Sequence, residues 1–412
     1  MSFSREFVKR KFEKYYRENY NANNAPKNIE RREFGFLTFN GKTMLRHISF
    51  KTRENLESFL RREAYSDAYY SCAYYENAEA EMGKKGWLGA DLIFDIDADH
   101  IPTSCNKIHD EWVCGSCGFS GKGIVPENCP ICGGRKFDVN TWPCETCLNS
   151  AKTETMKLLD ILIHDFGFSE KEIHIFFSGH RGYHIHVENE AYASLDATAR
   201  KEIVDYITGL GLDMSFHSMQ EKGLKRNVFS LGFSSAYVGW RRRIARGIVD
   251  FISKASEKNL RDIGLKRNVV EAILKNREAL IAGLKGSTAA VAVKGVGFET
   301  WRKIANFVLG LLSAKIDTVV TTDVHRLIRL ADTLHGKTGL KKVELPISEI
   351  EIFDPFKHAI AFKGGAATVF VSYAPEFRLG DETFGPYKNQ RVELPTAAAI
   401  LLVCKGRAEV VN

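Results

Sequence analysis

No apolar run in these 412 residues approaches the ~20 consecutive residues that a bilayer-spanning helix requires. The densest late one, TAAAILLVC, falls far short, and the opening MSFSREFVKRKFEKYY holds no apolar stretch of the secretory-leader kind. These absences predict a soluble, cytoplasmic chain with no membrane association. No internal repeat and no low-complexity tract is present either, which argues against a solenoid or a disordered polymer. Cysteine is scarce outside one stretch: of nine, only Cys72 and Cys404 lie outside residues 105–147. Those two read as buried thiols. Seven crowded cysteines, six of them in three CxxC pairs, argue for metal in a reducing compartment and against a disulfide framework. A glycine-rich phosphate loop is also missing. HGKTG at 335–339 ends like a Walker A motif, but the position that needs its first glycine is Ala331.

The chain does hold ample material for a core, with 44% hydrophobic and 11% aromatic residues and a length that suits two or three domains. Lys and Arg outnumber Asp and Glu by 58 to 51, for a formal charge of +7 and a pI near 8.8. That balance suits an anionic partner such as nucleic acid, and equally a plain solubility surplus.

Periodicity places helices over SREFVKRKFEKYYREN and RENLESFLRREAYSDAYY, flanking a strand pair REFGF and MLRHISF. DLIFDID reads as a strand. From 101 to 148 the composition shifts to Cys, Gly, Pro and Asn, and an amphipathic helix then runs to Gly167. EIHIFFS and YHIHV, joined by GHRG, read as a β-hairpin. Residues 197–312 look largely helical, with GLGLD, GLKG and KGVG as punctuation. A further helix, TDVHRLIRLADTL, capped by Thr321 or Thr322, precedes several short strands. On it Val324, Leu327, Ile328 and Ala331 share an apolar face, and Arg326 and Arg329 lie exposed.

Four groups of residues carry chemistry. In FDIDAD, alternation puts Asp95, Asp97 and Asp99 on one strand face with neighbouring Cα atoms about 6 to 7 Å apart, while Leu92, Phe94 and Ile96 point into a core. One aspartate at a strand end commonly starts a turn. Three in a row repel one another unless a cation intervenes, and oxygen ligands of this kind select Mg²⁺ or Mn²⁺. Two such ions can clamp the attacking and leaving oxygens of phosphoryl transfer.

In SGHRGYHIHV, Ser178, His180, Arg181 and His184 surround two glycines that let a backbone approach a ligand, and Arg and His supply phosphate donors. Arg326, Arg329, His335 and Lys337 offer a second set of phosphate-holding groups. Lastly, Cys114-x2-Cys117-x11-Cys129-x2-Cys132 has the spacing and trailing glycines of a zinc ribbon, bracketed by Cys105-x3-His109 and Cys144-x2-Cys147. Eight Cys and His ligands suit one or two structural Zn²⁺ ions with no open position. Spacing alone leaves their partition open.

Taken together, FDIDADH, SGHRGYHIHV and KIDTVV…HRLIR…LHGKTG resemble the catalytic small subunit of the archaeal and eukaryotic DNA primase family, the archaeal form above all. REFGF, MLRHISF and GWRRR extend the likeness over most of the chain. The resemblance implies an α/β (α+β) primase catalytic core on an RRM-like sheet, with an inserted helical subdomain and a zinc-binding module. The segments would be 1–100 and 149–200 for the first part of the core, 101–148 for the zinc insertion, 201–312 for the helical subdomain and 313–412 for completion of the core. It implies two Mg²⁺ or Mn²⁺ ions on Asp95, Asp97 and Asp317, the last on a later strand, with Asp99 a bystander. Ser178, His180, Arg181, His184, Arg329 and His335 would bind the triphosphate. The family's zinc knuckle matches Cys105, His109, Cys144 and Cys147, which makes the ribbon Cys114, Cys117, Cys129 and Cys132 an addition.

The function so implied is synthesis of short RNA primers, with DNA as a second product, from NTPs or dNTPs on single-stranded DNA for replication. The enzyme would be a nucleotidyltransferase, a DNA-directed RNA polymerase of primase type, in a heterodimer with a primase large subunit. Seven basic residues, Lys222, Lys225, Arg226, Arg241, Arg242, Arg243 and Arg246, are candidates to track template phosphates, or equally to form a solvated helix face or a salt-bridged core edge. The alternatives are a repair-type primase-polymerase and a non-catalytic zinc-ribbon nucleic-acid-binding protein.

Overall fold

The alternation in LIFDID is realised as the strand Leu92–Asp97, with Leu92, Phe94 and Ile96 buried on one face. It belongs to a computed structural model that describes residues 2–40, 43–212, 238–285 and 293–411. Leu92–Asp97 pairs antiparallel with Gly182–Val187, which forms a hairpin with Ile173–Phe177, and Val343–Leu345 completes a four-stranded sheet. The register sets His184 opposite Asp95 and Gly182 opposite Asp97. Gly182 is required there, because a Cβ would stand 2.3 Å from the carbonyl oxygen of Ile96. Its smallness therefore serves the approach of a neighbouring strand. Gly179, at φ +84°, provides the left-handed residue of the turn.

A second four-stranded antiparallel sheet runs Leu327–Arg329, Asp67–Ser71, Phe34–Leu37, Met44–Ile48. Ile93, from the acid-bearing face of Leu92–Asp97, shares a hydrophobic cluster with Tyr70, Ala73 and Ile328 of this sheet and its flanks. The Tyr70 hydroxyl meets His186 Nδ1 at 3.0 Å. Helices Phe3–Glu18 and Arg53–Arg62, N-capped by Ser2 and Thr52, add Phe12, Tyr16, Leu56 and Leu60 to that cluster. Acids and histidines thus emerge from a face that is otherwise core, which fixes their positions.

Smaller pieces belong to the same unit, formed by residues 1–156, 169–201 and 315–412. The cysteine-rich stretch folds as a three-stranded sheet with Glu111–Cys114 between Ser120–Lys122 and Phe137–Asn140. Ala366–Ala374 pairs with Tyr387–Pro395 and Ala408–Val410, and the apolar helix Thr396–Cys404 is largely buried. The other unit, residues 157–168 and 202–314, is helical, with Gly239–Lys254, Arg267–Lys275 and Phe298–Leu312 among its helices. In it Arg243 is held by Asp160 and Asp165. Lys222, Lys225 and Arg226, and the helical reading of 213–237 and 286–292, lie outside the described residues.

The mixed α+β class expected from the sequence is the one observed. Three local readings are corrected. The helix expected over TDVHRLIRLADTL is absent: Thr318–Thr322 forms a short helix, and Leu327–Arg329 is an edge strand paired with Asp67–Ser71. Ile328 faces the hydrophobic cluster and Arg329 is only 7% exposed, so the apparent helical stripe was strand pairing read at the wrong period. The second N-terminal helix stops at Arg62, because YSDAYY supplies β-favouring tyrosines to that same sheet. Asp99, finally, does not share a strand face with Asp95 and Asp97, since the strand ends at Asp97 and a 3₁₀ turn, Ala98–His100, follows.

Candidate active site and metal centres

The end of Leu92–Asp97, the 178–181 turn and Leu327–Arg329 enclose a cleft of about 160 Å³ lined by Asp95, Asp97, Ser178, His180, His184, Arg329 and His335. Tyr69 and Arg326 complete its wall. Asp317 and Arg181 are not among the lining residues.

Asp317 lies beside the cleft at the N-terminus of Thr318–Thr322, where its Oδ1 accepts the Val319 N–H at 3.0 Å. It sits on a helix cap, and the later strand expected to carry it is not there. Its own N–H donates to the Asp95 carbonyl at 2.8 Å, which ties the two acids together through the backbone.

Burial and the neighbouring charges of Asp97 and Asp317 push the Asp95 carboxyl up to about 7. Asp97 is also raised, by burial, against the pull of Arg181 and other cations. His184 Nε2 stands 3.5 Å from Asp95 Oδ1, while its Nδ1 is buried with no partner among the described residues. Burial, with Lys342 and Arg329 nearby, pushes His184 well below the usual imidazole range, and burial does the same to His180 and His335. All three rings therefore act as neutral hydrogen-bond groups. Beside Arg326 in the wall, a buried positive charge comes from Arg329, which stays protonated because Asp67, 2.6 Å from its Nη1, outweighs the effect of burial. Lys342, buried with its Nζ 2.7 Å from the Arg329 carbonyl, braces that strand from behind.

Arg181 faces away from the cleft. Its Nη1 donates to both carboxylate oxygens of Asp110, at 2.9 and 2.8 Å, and to the Trp142 carbonyl at 3.2 Å, and Asp99 lies against Nη2. Asp110 also accepts from the Trp142 N–H at 2.8 Å and pairs with His109 Nδ1 at 2.8 Å. One buried carboxylate therefore connects the 178–181 turn to a cysteine-rich centre.

That centre gathers Cys105, His109, Cys144 and Cys147, and a second gathers Cys114, Cys117, Cys129 and Cys132, the ligand atoms of each group lying within 4.8 Å of one another. In the first, Cys105 Sγ is 3.6 Å from Cys147 Sγ, 3.9 Å from Cys144 Sγ and 3.5 Å from His109 Nε2. In the second, the Cys114–Cys132 and Cys117–Cys129 sulfurs are each 3.6 Å apart. A tetrahedral ion with ~2.3 Å bonds to sulfur needs ligand edges of about 3.8 Å, so both donor sets fit Zn²⁺. The structure resolves the partition that spacing left open. The Asp110 contact to His109 Nδ1 matches the carboxylate that typically orients a metal-bound imidazole. Among the described residues the acids of the cleft form no comparably tight group.

The signature described as DNA primase small subunit matches residues 138–348, about half of the chain. The DNA primase small subunit of Nitrosopumilus maritimus is 32% identical over 405 residues, covering 98% of either chain. The chain belongs to the DNA primase small subunit family. Relatives of the same description from Methanothrix thermoacetophila and Archaeoglobus fulgidus are each 33% identical, over 98% of this chain and 98% and 97% of theirs. No helix among the described residues is long and apolar enough to cross a membrane.

Sequence reasoning missed Tyr69, Asp67, Asp110, Lys342 and Lys405, all of which touch or brace the primase cleft. Only Asp110 carried a local signal, its adjacency to a candidate metal ligand. A lysine such as Lys342, in GLKKVEL, looks the same in sequence whether it is solvated or buried.

Proposed function

We propose that this chain is the primer-synthesising subunit of a primase, joining nucleoside triphosphates into short RNA strands on single-stranded DNA, with deoxynucleotides as second substrates. The observation that carries the reading is the cleft itself. Acids, neutral imidazoles and one buried arginine, drawn from four separate segments, meet there in a chain of the primase small-subunit family.

The growing strand's 3′-oxygen attacks the incoming α-phosphorus, and the bond to pyrophosphate breaks. Asp95, Asp97 and Asp317 are assigned to hold two Mg²⁺ or Mn²⁺ ions, which when bound supply Lewis acidity toward the 3′-hydroxyl and the departing phosphate. Burial and the repulsion of Asp97 and Asp317 lift Asp95, and such cations relieve the repulsion. Ser178, His180, His184 and His335 then offer hydrogen bonds to the triphosphate, and Arg329 offers charge. Arg181, read from the sequence as a triphosphate ligand, is instead assigned to orienting the 178–181 turn from behind, given its hold on Asp110. Zn²⁺ in the two cysteine centres is structural, since neither has an open position. A large-subunit partner is proposed for efficient initiation, in the cytoplasm.

The test is primer synthesis on single-stranded DNA with ribo- or deoxynucleotides and Mg²⁺ or Mn²⁺, with and without a partner. Asp97→Ala and Asp317→Ala should abolish synthesis and leave template binding intact. Absence of product from the wild type in every condition, or full activity in Asp97→Ala, would sink the reading. Intact function in Asp97→Ala would favour a zinc-ribbon binding protein.

A further inference from the structure

Lys405 follows the apolar helix Thr396–Cys404 and is only 2% exposed. Burying an ammonium is costly unless its hydrogens find partners, and no carboxylate pairs with this one among the described residues. Its Nζ instead donates to the Thr141 carbonyl at 2.6 Å and to His180 Nε2 at 2.8 Å. The Thr141 hydroxyl lies 3.2 Å from the same ring nitrogen. A charged lysine has hydrogens to give and nothing with which to accept. Charged, Lys405 makes His180 Nε2 the acceptor and puts the ring proton on Nδ1; neutral, it still has a second hydrogen for Nε2 after donating to the Thr141 carbonyl.

We propose that Lys405 is a positioning residue of the nucleotide site: it fixes His180 as the neutral Nδ1–H tautomer, so that this imidazole offers one defined N–H to the triphosphate. The inference deepens the proposed primer synthesis and rests on that reading of the cleft. The neighbouring ring supports it. His180 stacks on His335 with centroids 5.0 Å apart and planes 23° from parallel. His335 Nδ1 accepts the Lys337 backbone N–H at 3.1 Å, which leaves the proton on Nε2. Two stacked neutral imidazoles are thus held in opposite tautomers, each by a donor outside the ring pair. Charge points the same way: burial, with Lys405 and Lys337 close by, pushes His180 well below the usual imidazole range. Burial, Arg181 and Lys337 lower Lys405 to about 7, with Asp110 opposing, so the ammonium form that enforces this tautomer is favoured below about pH 7.

The experiment uses the full chain with ¹⁵N-labelled histidine and long-range proton–nitrogen correlation of the imidazoles, His180 being assigned with His180→Ala. The expected wild-type result is an unprotonated Nε2 and a protonated Nδ1 on His180. Lys405→Met should scramble the tautomers and raise the KM for the incoming NTP about fivefold, the worth of one ordinary hydrogen bond, with kcat little changed. Lys405→Arg, which keeps a donor, should restore both. A proton on Nε2 in the wild type overturns the proposal without any variant, as does a Lys405→Met chain with unchanged tautomer and KM. If His180→Ala leaves the NTP KM unchanged, the positioning role falls with the nucleotide reading. A wild-type Nδ1–H tautomer would then assign the failure to the cleft reading and not to the Lys405 contact.

Discussion

The cysteine centres and the carboxylate cleft lie in one structural unit, and each collects groups that repel one another when ionised, yet they are built in opposite ways. Each centre takes its ligands in close pairs from short neighbouring stretches of the chain, and the donor atoms converge to within 4.8 Å. The cleft takes Asp95 and Asp97 from a strand end, Asp317 from a helix cap and Arg329 from an edge strand of another sheet, and leaves Asp95 with its carboxyl raised to about 7. A closed set of thiolates and imidazole binds a metal to hold a fold together. Held-apart carboxylates with neutral donors around them suit ions that come and go with a substrate.

The sharpest way to break this contrast is to remove one acid. Asp97→Ala should lower primer synthesis by a factor on the order of 10³ or more if, as proposed, Asp97 holds a metal of a two-ion site. Zinc content and thermal stability should be unchanged or higher, because a buried like charge has been relieved. A parallel loss of zinc would show that the two regions are not separable.

Next is a comparison of the two centres. Cys147→Ser should release one zinc equivalent and, through His109, Asp110 and Arg181, disturb the 178–181 turn, with activity falling more than about tenfold. Cys132→Ser should also release one equivalent but leave synthesis on preformed primers near normal, because the described contacts of that centre's ligands do not lead to the cleft. Equal losses of activity would remove the special status given to the His109 centre.

The link itself is tested by Asp110→Ala. Removing one partner of a buried pair leaves Arg181 with only the partly exposed Asp99, at a cost of about 3 kcal/mol. A clear fall in melting temperature should accompany weaker zinc retention by the His109 centre against a chelator. Asp99→Ala, which touches the same guanidinium from a 39% exposed position, should cost about 1 kcal/mol or less.

The same contrast explains what could be read in the sequence. Cysteine pairs at fixed spacing, the alternation of LIFDID and the hairpin around GHRG are local patterns, and the backbone follows them because each satisfies its own geometry. The cleft is not local. Nothing near Asp317 marks it as a partner of Asp95, and only the family resemblance singled it out. HRLIR satisfied a helical period until strand pairing with Asp67–Ser71 decided otherwise. Arg181 was recognisable as important, but its direction depends on Asp110, which lies on another segment, and Lys405 reaches His180 from the last helix of the chain.

The last expected effect concerns protonation of the cleft. Asp95 must lose its proton before its carboxylate can hold a cation, and in the metal-free protein that proton is retained up to about pH 7. Apparent Mn²⁺ affinity should therefore fall about tenfold per pH unit below that point and level off above it. The stability sign is set by the same shift. An unfolded Asp95 ionises near 3.8, so the metal-free fold loses stability as pH rises from about 4 to about 7. A divalent ion, which binds only the ionised site, should reverse that loss. Mn²⁺ titrations by electron paramagnetic resonance at several pH values, with melting curves with and without Mn²⁺, read both quantities on zinc-loaded protein. Asp97→Ala should move the break in the affinity curve to lower pH, because it removes the largest neighbouring negative charge acting on Asp95. A break that stays in place would mean that burial alone sets this carboxyl, and that the acids of the cleft do not act as one electrostatic group.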